Sequence, residues 1–177
     1  MRQSTKNVSP FSNEARNAYV IEHITDALLT LLKDKAITDI SISELCELAE
    51  IGRASFYRNF ESKEDILRGY IQKISKEWTD EVYKKESRPL SDFLALLFAH
   101  FEKHRDFYSL LNKRDLIYLL KDVMIRLFGP KPESCKEDAY ARAYFVYALY
   151  GWIEVWFQRG MQESAEEIAR MFKRQGL

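Results

Sequence analysis

The sequence predicts an all-α protein on three observations. Apolar residues recur at three-to-four spacing through most of the chain, the period of a helix with one buried face. Glycine (6) and proline (4) are scarce among 177 residues, so few tight turns are available. No segment alternates long enough to make a convincing strand. With 46% apolar and 14% aromatic residues the chain can build a substantial core, and its length suits a small domain joined to a larger one.

Residues 1–12 are polar, with Ser9 and Pro10 as breakers and Arg2 and Lys6 as charges, and are expected to form a flexible arm. From about Asn13 to Lys35, the residues Ile21, Ile24, Leu28, Leu31 and Leu32 mark one face of an amphipathic helix, which "KDKAITDIS" ends. Ser41-Ile42-Ser43-Glu44 has the spacing of a capping box. The serine oxygen can accept from the Glu44 amide while the glutamate reaches back to the serine amide. A short helix should therefore start near Ile42 and carry Leu45, Cys46 and Leu48. After a turn at Glu50 to Gly52, a second short helix carries Phe56, Tyr57 and Phe60. Ser62 to Asp65 is a second capping signal, and it opens a longer helix that buries Ile66, Leu67, Tyr70, Ile71, Ile74 and Trp78.

"KKESRPL" (Lys84 to Leu90) breaks the chain. Beyond it come a helical stretch over 90–112 with a break near Arg105, another over 114–129 stopped by Gly129, Pro130 and Pro132, a third over 137–160, and a terminal amphipathic helix over 164–176. The expected organisation is an arm at 1–12, a first domain at 13–78 and a second at 79–177.

Lysine plus arginine (27) balance aspartate plus glutamate (27), so only a local basic cluster could point to nucleic acid. Cys46 and Cys135 match neither a disulfide framework nor a metal spacing and read as free thiols. The first twenty residues have no apolar run after their basic residues. The run Ala143 to Ile153 is shorter than the roughly 20 residues a bilayer needs. A cytoplasmic protein without a membrane partner is expected. Phosphate-binding glycine loops, nucleophile elbows and zinc-protease motifs are absent, so we expect neither enzymatic activity nor a cofactor.

Two short helices joined by a tight turn and followed by a longer one make a helix-turn-helix, here over about 41–60, whose second helix can lie in the DNA major groove. Leu45, Leu48, Ile51, Phe56 and Phe60 are the apolar positions that would pack it. Arg53, Ser55, Tyr57, Arg58 and Asn59 then fall outside, as donors suited to phosphates or base edges, and the local patch is basic although the chain is neutral. Lys63 opens the next helix, where exposed amides also favour a phosphate.

The stretch "ISISELCELAEIGRASFYRNFESKEDILRGYI", Ile40 to Ile71, resembles the TetR family of transcriptional regulators, most of all in "SFYRNFESKEDIL". That resemblance implies an N-terminal three-helix DNA-binding domain joined by a long fourth helix to a larger helical domain that dimerises and binds a small-molecule inducer. Carried over position by position, Ser41 and Ser43 would meet the DNA backbone, Arg53, Ala54 and Ser55 would face the groove, Tyr57 and Lys63 would hold phosphates, and Arg58 and Asn59 would lie close by. The expected activity is repression from a palindromic operator, relieved by the inducer. One departure stands out: members usually carry glycine where this chain has Glu50, with Gly52 two residues later. Either Glu50 takes a left-handed backbone at a cost of about 1 kcal/mol, or the turn is rebuilt around Gly52. Glu50 and the neutral charge also leave room for a regulator that works through protein contact with weakened DNA binding.

In the second domain, "AYFVYALYGWI" is apolar around most of its helix, which therefore needs a partner beyond its own core. The last two helices, about 138–174, are the expected two-fold dimer interface. For a ligand, Phe101, His104, Tyr108, Met124, Phe128, Tyr147 and Trp152 are candidate lining residues that could equally be core. His100 and His104 could pair on a metal, but without further ligands in spacing they read as surface histidines and no metal site is expected.

Overall fold

The computed structural model describes residues 13–82 and 89–174, and the arm at 1–12 and most of the break at Lys84 to Leu90 lie outside them. The described residues are all-helical, with no strand among them. They divide into two compact units, up to Leu67 and from Arg68 onward, so that the division falls within a helix.

The first unit holds α1 (Asn13–Leu32), a single 3-10 turn (Ile37–Asp39), α2 (Ile42–Leu48), α3 (Arg53–Asn59) and the first turn of α4 (Lys63–Val82). Helices α1, α2 and α3 pack on one another. Ile24, Leu28 and Leu32, one turn apart on α1, are fully buried together with Leu45, Phe56 and Leu67. Each such side chain contributes about 1.5–3 kcal/mol on burial. Ile21, expected on the same face, is instead exposed, because the first turns of α1 run past the core. Thr25 is buried in its place, with its hydroxyl donating to the Ile21 carbonyl at 2.6 Å, which satisfies the polar group inside the helix.

The second unit contains the rest of α4, α5 (Leu90–Lys103), α6 (Arg105–Lys113), α7 (Tyr118–Phe128), α8 (Lys136–Gln158) and α9 (Ala165–Arg174). Helix α5 lies along α9, and α8 packs on α6 and α7. The core is aromatic: Phe98 meets Trp156 edge-on at 5.1 Å between ring centres, and Tyr108 stacks on Phe157 at 5.6 Å. The corner between α8 and α9 is pinned from outside. Arg105 donates to the Met161 carbonyl at 2.8 Å, and the Ala165 amide donates to the Glu102 carboxylate at 3.0 Å.

Candidate nucleic-acid interface

Helix α2 begins as its capping box dictates. Ser41 is in extended backbone, and its hydroxyl accepts from the Glu44 amide at 3.1 Å. The Glu44 carboxylate is held below the usual carboxylate range, chiefly by a hydrogen bond from the Lys35 ammonium and also by the Ser41 amide. At the other end the Glu50 amide donates to the Glu47 carbonyl at 3.1 Å and the Ile51 amide to the Cys46 carbonyl at 3.0 Å. That pair of bonds is the Schellman closure of a helix, which requires a left-handed residue between them. Glu50 supplies it, at φ +55°. Gly52 is in ordinary extended backbone as the N-cap of α3, so of the two possible turns the first is realised.

The inner face of the motif differs from expectation at one position. Leu45 and Phe56 are fully buried, Ile51 and Phe60 are half-buried, and Leu48 is 49% exposed. Ala49, one turn beyond Leu45, takes the inward position instead and is buried. Phe56 anchors α3 through edge contacts with the Tyr57 ring at 5.2 Å and a tilted contact with Phe60 at 5.9 Å.

With Phe56 inside, the other face of α3 is turned out. Arg53, Ala54, Tyr57 and Arg58 are exposed, Tyr57 to 63%. Ser55 and Asn59 are half-buried and joined, the Asn59 amide donating to the Ser55 carbonyl at 2.8 Å. Ser41 and Ser43 are exposed at the start of α2. Lys63 is placed differently: it is half-buried, and its ammonium donates to the carbonyls of Ile37 and Ile40. Sequence reasoning missed Arg16 and Asn17. They line a surface groove of about 1000 Å³ together with Ser55, Arg58 and Asn59. Their only signal was polarity ahead of the apolar period of α1.

The ligand candidates of the second unit do not converge. Phe101 and Tyr108 are fully buried and contact each other edge-on at 4.8 Å, and Met124 is also buried. Phe128 is half-buried against Trp78 at 5.9 Å. Tyr147 and Trp152 lie on a separate apolar concavity of about 620 Å³ between α8 and α9. His100 is not a surface histidine. It is buried, and its Nε2 is 3.2 Å from the Tyr108 hydroxyl. Burial, with His104 and Lys103 nearby, pushes its pKa down to about 4. His104 is half-buried, with its Nε2 lacking a partner among the described residues. No three metal-ligating side chains converge among those residues. No helix there is long and apolar enough to cross a membrane. Cys46 is buried and Cys135 exposed, both as free thiols.

Comparison with known proteins agrees with this geometry. Residues 24–70 match the family model described as bacterial regulatory proteins, tetR family, and residues 88–175 match a transcriptional regulator C-terminal region. YxbF of Bacillus subtilis strain 168, an uncharacterized HTH-type transcriptional regulator, is 26% identical over 164 residues. The match spans 83% of this chain but only 42% of that protein's length. Two solved structures share the fold. Lin0861 of Listeria innocua superposes with a TM-score of 0.68 at 16% identity, over 95% of this chain and 94% of its own. A TetR transcriptional regulator of Streptococcus agalactiae gives 0.58 at 15% identity, over 90% and 94%. The chain belongs to the TetR family of transcriptional regulators, a family of transcription factors and not of enzymes.

Proposed function

We propose that this regulator is a homodimeric repressor that sets α3 of each subunit into successive major grooves of a palindromic operator and leaves it when a small molecule binds the second unit. The observation that carries the DNA reading is the outer face of α3. A buried Phe56 fixes the helix, and the same helix turns out Arg53, Tyr57 and Arg58. Arginine suits guanine edges and phosphates alike, and a tyrosine hydroxyl suits phosphate. Ala54 and Ser55 are small enough to let the helix approach the base edges, with Ser41, Ser43, Asn59 and Arg16 toward the backbone. The reading through protein contact with weakened DNA binding drew on Glu50 and the neutral net charge; Glu50 sits in the turn the motif uses, and the exposed arginines of α3 make that face locally basic.

Dimerisation is supported by α8. Tyr140, Tyr144, Tyr147 and Val155 are all exposed, and with Gly151 they fall on one stripe of the helix. An apolar stripe of this kind favours a second copy, and a two-fold pair would space its recognition helices about 34 to 36 Å apart. For the inducer, the buried positions of Phe101, Tyr108 and Met124 favour core roles. A cleft of about 420 Å³ lined by Trp78, Leu96, His100 and Lys103 is the better candidate. Trp78 and His100, both buried side chains that line this cleft, give it an aromatic wall, and Lys103 sets a charge at its edge.

Selection of bound duplexes from a random pool at physiological salt, repeated with small molecules added, tests the whole reading. Enrichment of a palindrome is expected. Absence of any enriched duplex would sink the proposal.

A further inference from the structure

Lys63 is the first residue of α4, and its side chain reaches back 23 and 26 positions along the chain. Its ammonium donates to the carbonyl of Ile40 at 2.5 Å and to that of Ile37. These carbonyls stand at the two ends of the 3-10 turn that precedes α2, Ile37 being its first residue and Ile40 its C-cap. The next residue, Ser41, is the N-cap of α2. An ammonium has three N–H donors, so two of the three are committed inside the protein. Hydrogen bonds from a charged donor are roughly twice as strong as neutral ones.

The local backbone gives that ammonium work to do. The segment between α1 and α2 is tied locally by the Asp39 amide on the Ala36 carbonyl at 3.0 Å and by the Lys35 ammonium on the Glu44 carboxylate, but Ile40 at its end is held less firmly. The Ile40 amide meets the Ile37 carbonyl only at 3.4 Å, and the 3-10 turn has no side-chain cap at its start. Buried Ile37 and Ile40 side chains anchor it from one direction. Lys63 anchors it through the main chain from another. Helix α2 begins where this segment ends, and α3 packs on α2.

We infer that Lys63 is a positioning residue for DNA binding: by clamping the Ile37 and Ile40 carbonyls it sets the start of α2, and through α2 the pose of α3, without itself holding a phosphate. The inference rests on the DNA-binding reading and changes the role that family resemblance assigns to this lysine.

Counterion release separates the two roles. Each phosphate contact contributes about 0.9 to the slope of log affinity against log salt. A lysine that acts through the protein contributes nothing to that slope.

The test compares the full-length wild type with Lys63→Met and Lys63→Arg. The probe is a duplex that the wild type selects from a random pool, titrated between about 50 and 300 mM salt. The Met variant should bind at least tenfold more weakly with a line parallel to the wild type. The Arg variant, which keeps charge and donors, should recover most of the loss. Without DNA, exchange of the Glu44 and Leu45 amides, which donate to the Ser41 hydroxyl and carbonyl, should be at least tenfold faster in the Met variant, with Leu28 in α1 unchanged.

A slope smaller by about 0.9 per subunit would make Lys63 a phosphate ligand and overturn the inference. Unchanged exchange at Glu44 and Leu45 would overturn it too, as would equal acceleration at Leu28, which marks a global loss of stability. If the wild type selects no duplex, the DNA reading fails on its own, and the exchange data still decide whether Lys63 orders α2.

Discussion

The Ile51 amide donates to the Cys46 carbonyl at 3.0 Å, a bond that folds the end of α2 back over Glu50 and forces that residue to φ +55°. A left-handed backbone crowds Cβ against the following carbonyl and costs a non-glycine residue about 1 to 2 kcal/mol. Glycine has no such conflict, although it gives up more backbone freedom on folding. Glu50→Gly should therefore stabilise the protein by about 1 kcal/mol, read as a higher midpoint in urea with an unchanged slope. A neutral or lower midpoint would mean that the local bonds of the turn already absorb the strain.

Much of the first unit was legible in the sequence because its signals are local. A serine three residues before a glutamate, and another three before an aspartate, placed the starts of α2 and α4. The second is realised by the Ser62 hydroxyl and the Asp65 carboxylate, each accepting from the other residue's amide at 3.2 and 3.1 Å. Family resemblance then ordered these elements into a motif. What failed depended on tertiary neighbours. Leu48 and Ile21 obey the helical period, yet whether a residue on the face is covered depends on where the neighbouring helices stop. His100 looked like a surface residue because nothing local announces that Tyr108, eight residues on, will meet it. Aromatic composition likewise cannot separate a packed core from a lined cavity, and here Phe101 and Tyr108 are core. Lys63 was placed correctly on α4, but its partners lie across the motif.

The outer face of α3 carries the most direct functional prediction. Arg53→Ala and Tyr57→Ala remove exposed side chains; Tyr57→Ala also gives up an edge contact with the Phe56 ring, but Phe56 itself stays buried, so the fold should be spared. A bidentate arginine contact with a base is worth about 1–3 kcal/mol, so Arg53→Ala should weaken operator binding by about 10- to 100-fold and relax preference at one base pair. Tyr57→Ala should weaken binding to all sequences alike, as expected for a backbone contact. Unchanged affinity for both variants in a gel-shift titration would refute the assignment of this face.

Acid should destabilise the second unit through His100. Its pKa is 6.5 when free and about 4 in the folded protein, so between those values the unfolded chain binds more protons than the native one. Stability therefore rises with pH across that window and is lost as pH falls through it, at up to about 1.4 kcal/mol per pH unit for this one group. Lys103 and His104 beside it disfavour its charge further, and the Tyr108 hydroxyl meets its Nε2. In His100→Gln, thermal unfolding between pH 6.5 and 4 should lose part of this slope. A slope equal to that of the wild type would assign the acid sensitivity to other groups.

Gly151 offers a way to separate the fold of the subunit from its pairing. It lies midway along the exposed stripe of α8, between Tyr147 and Val155, and a Cβ built there meets nothing within 4 Å in the single chain. Most residues are also better helix formers than glycine, by up to about 1 kcal/mol. Gly151→Arg should thus leave the subunit as stable as before or slightly more so. In a two-fold dimer built on this face, however, the substitution sets a charge into the apolar stripe of both copies, where an unpaired buried charge costs several kcal/mol. Sedimentation should show the wild type as a dimer and the variant as a monomer with an unchanged helical spectrum. Operator affinity should fall with it, because two linked half-sites become two independent ones. A variant that stays dimeric would move the interface away from α8, and a wild type that is monomeric at micromolar concentration would remove the two-fold arrangement altogether.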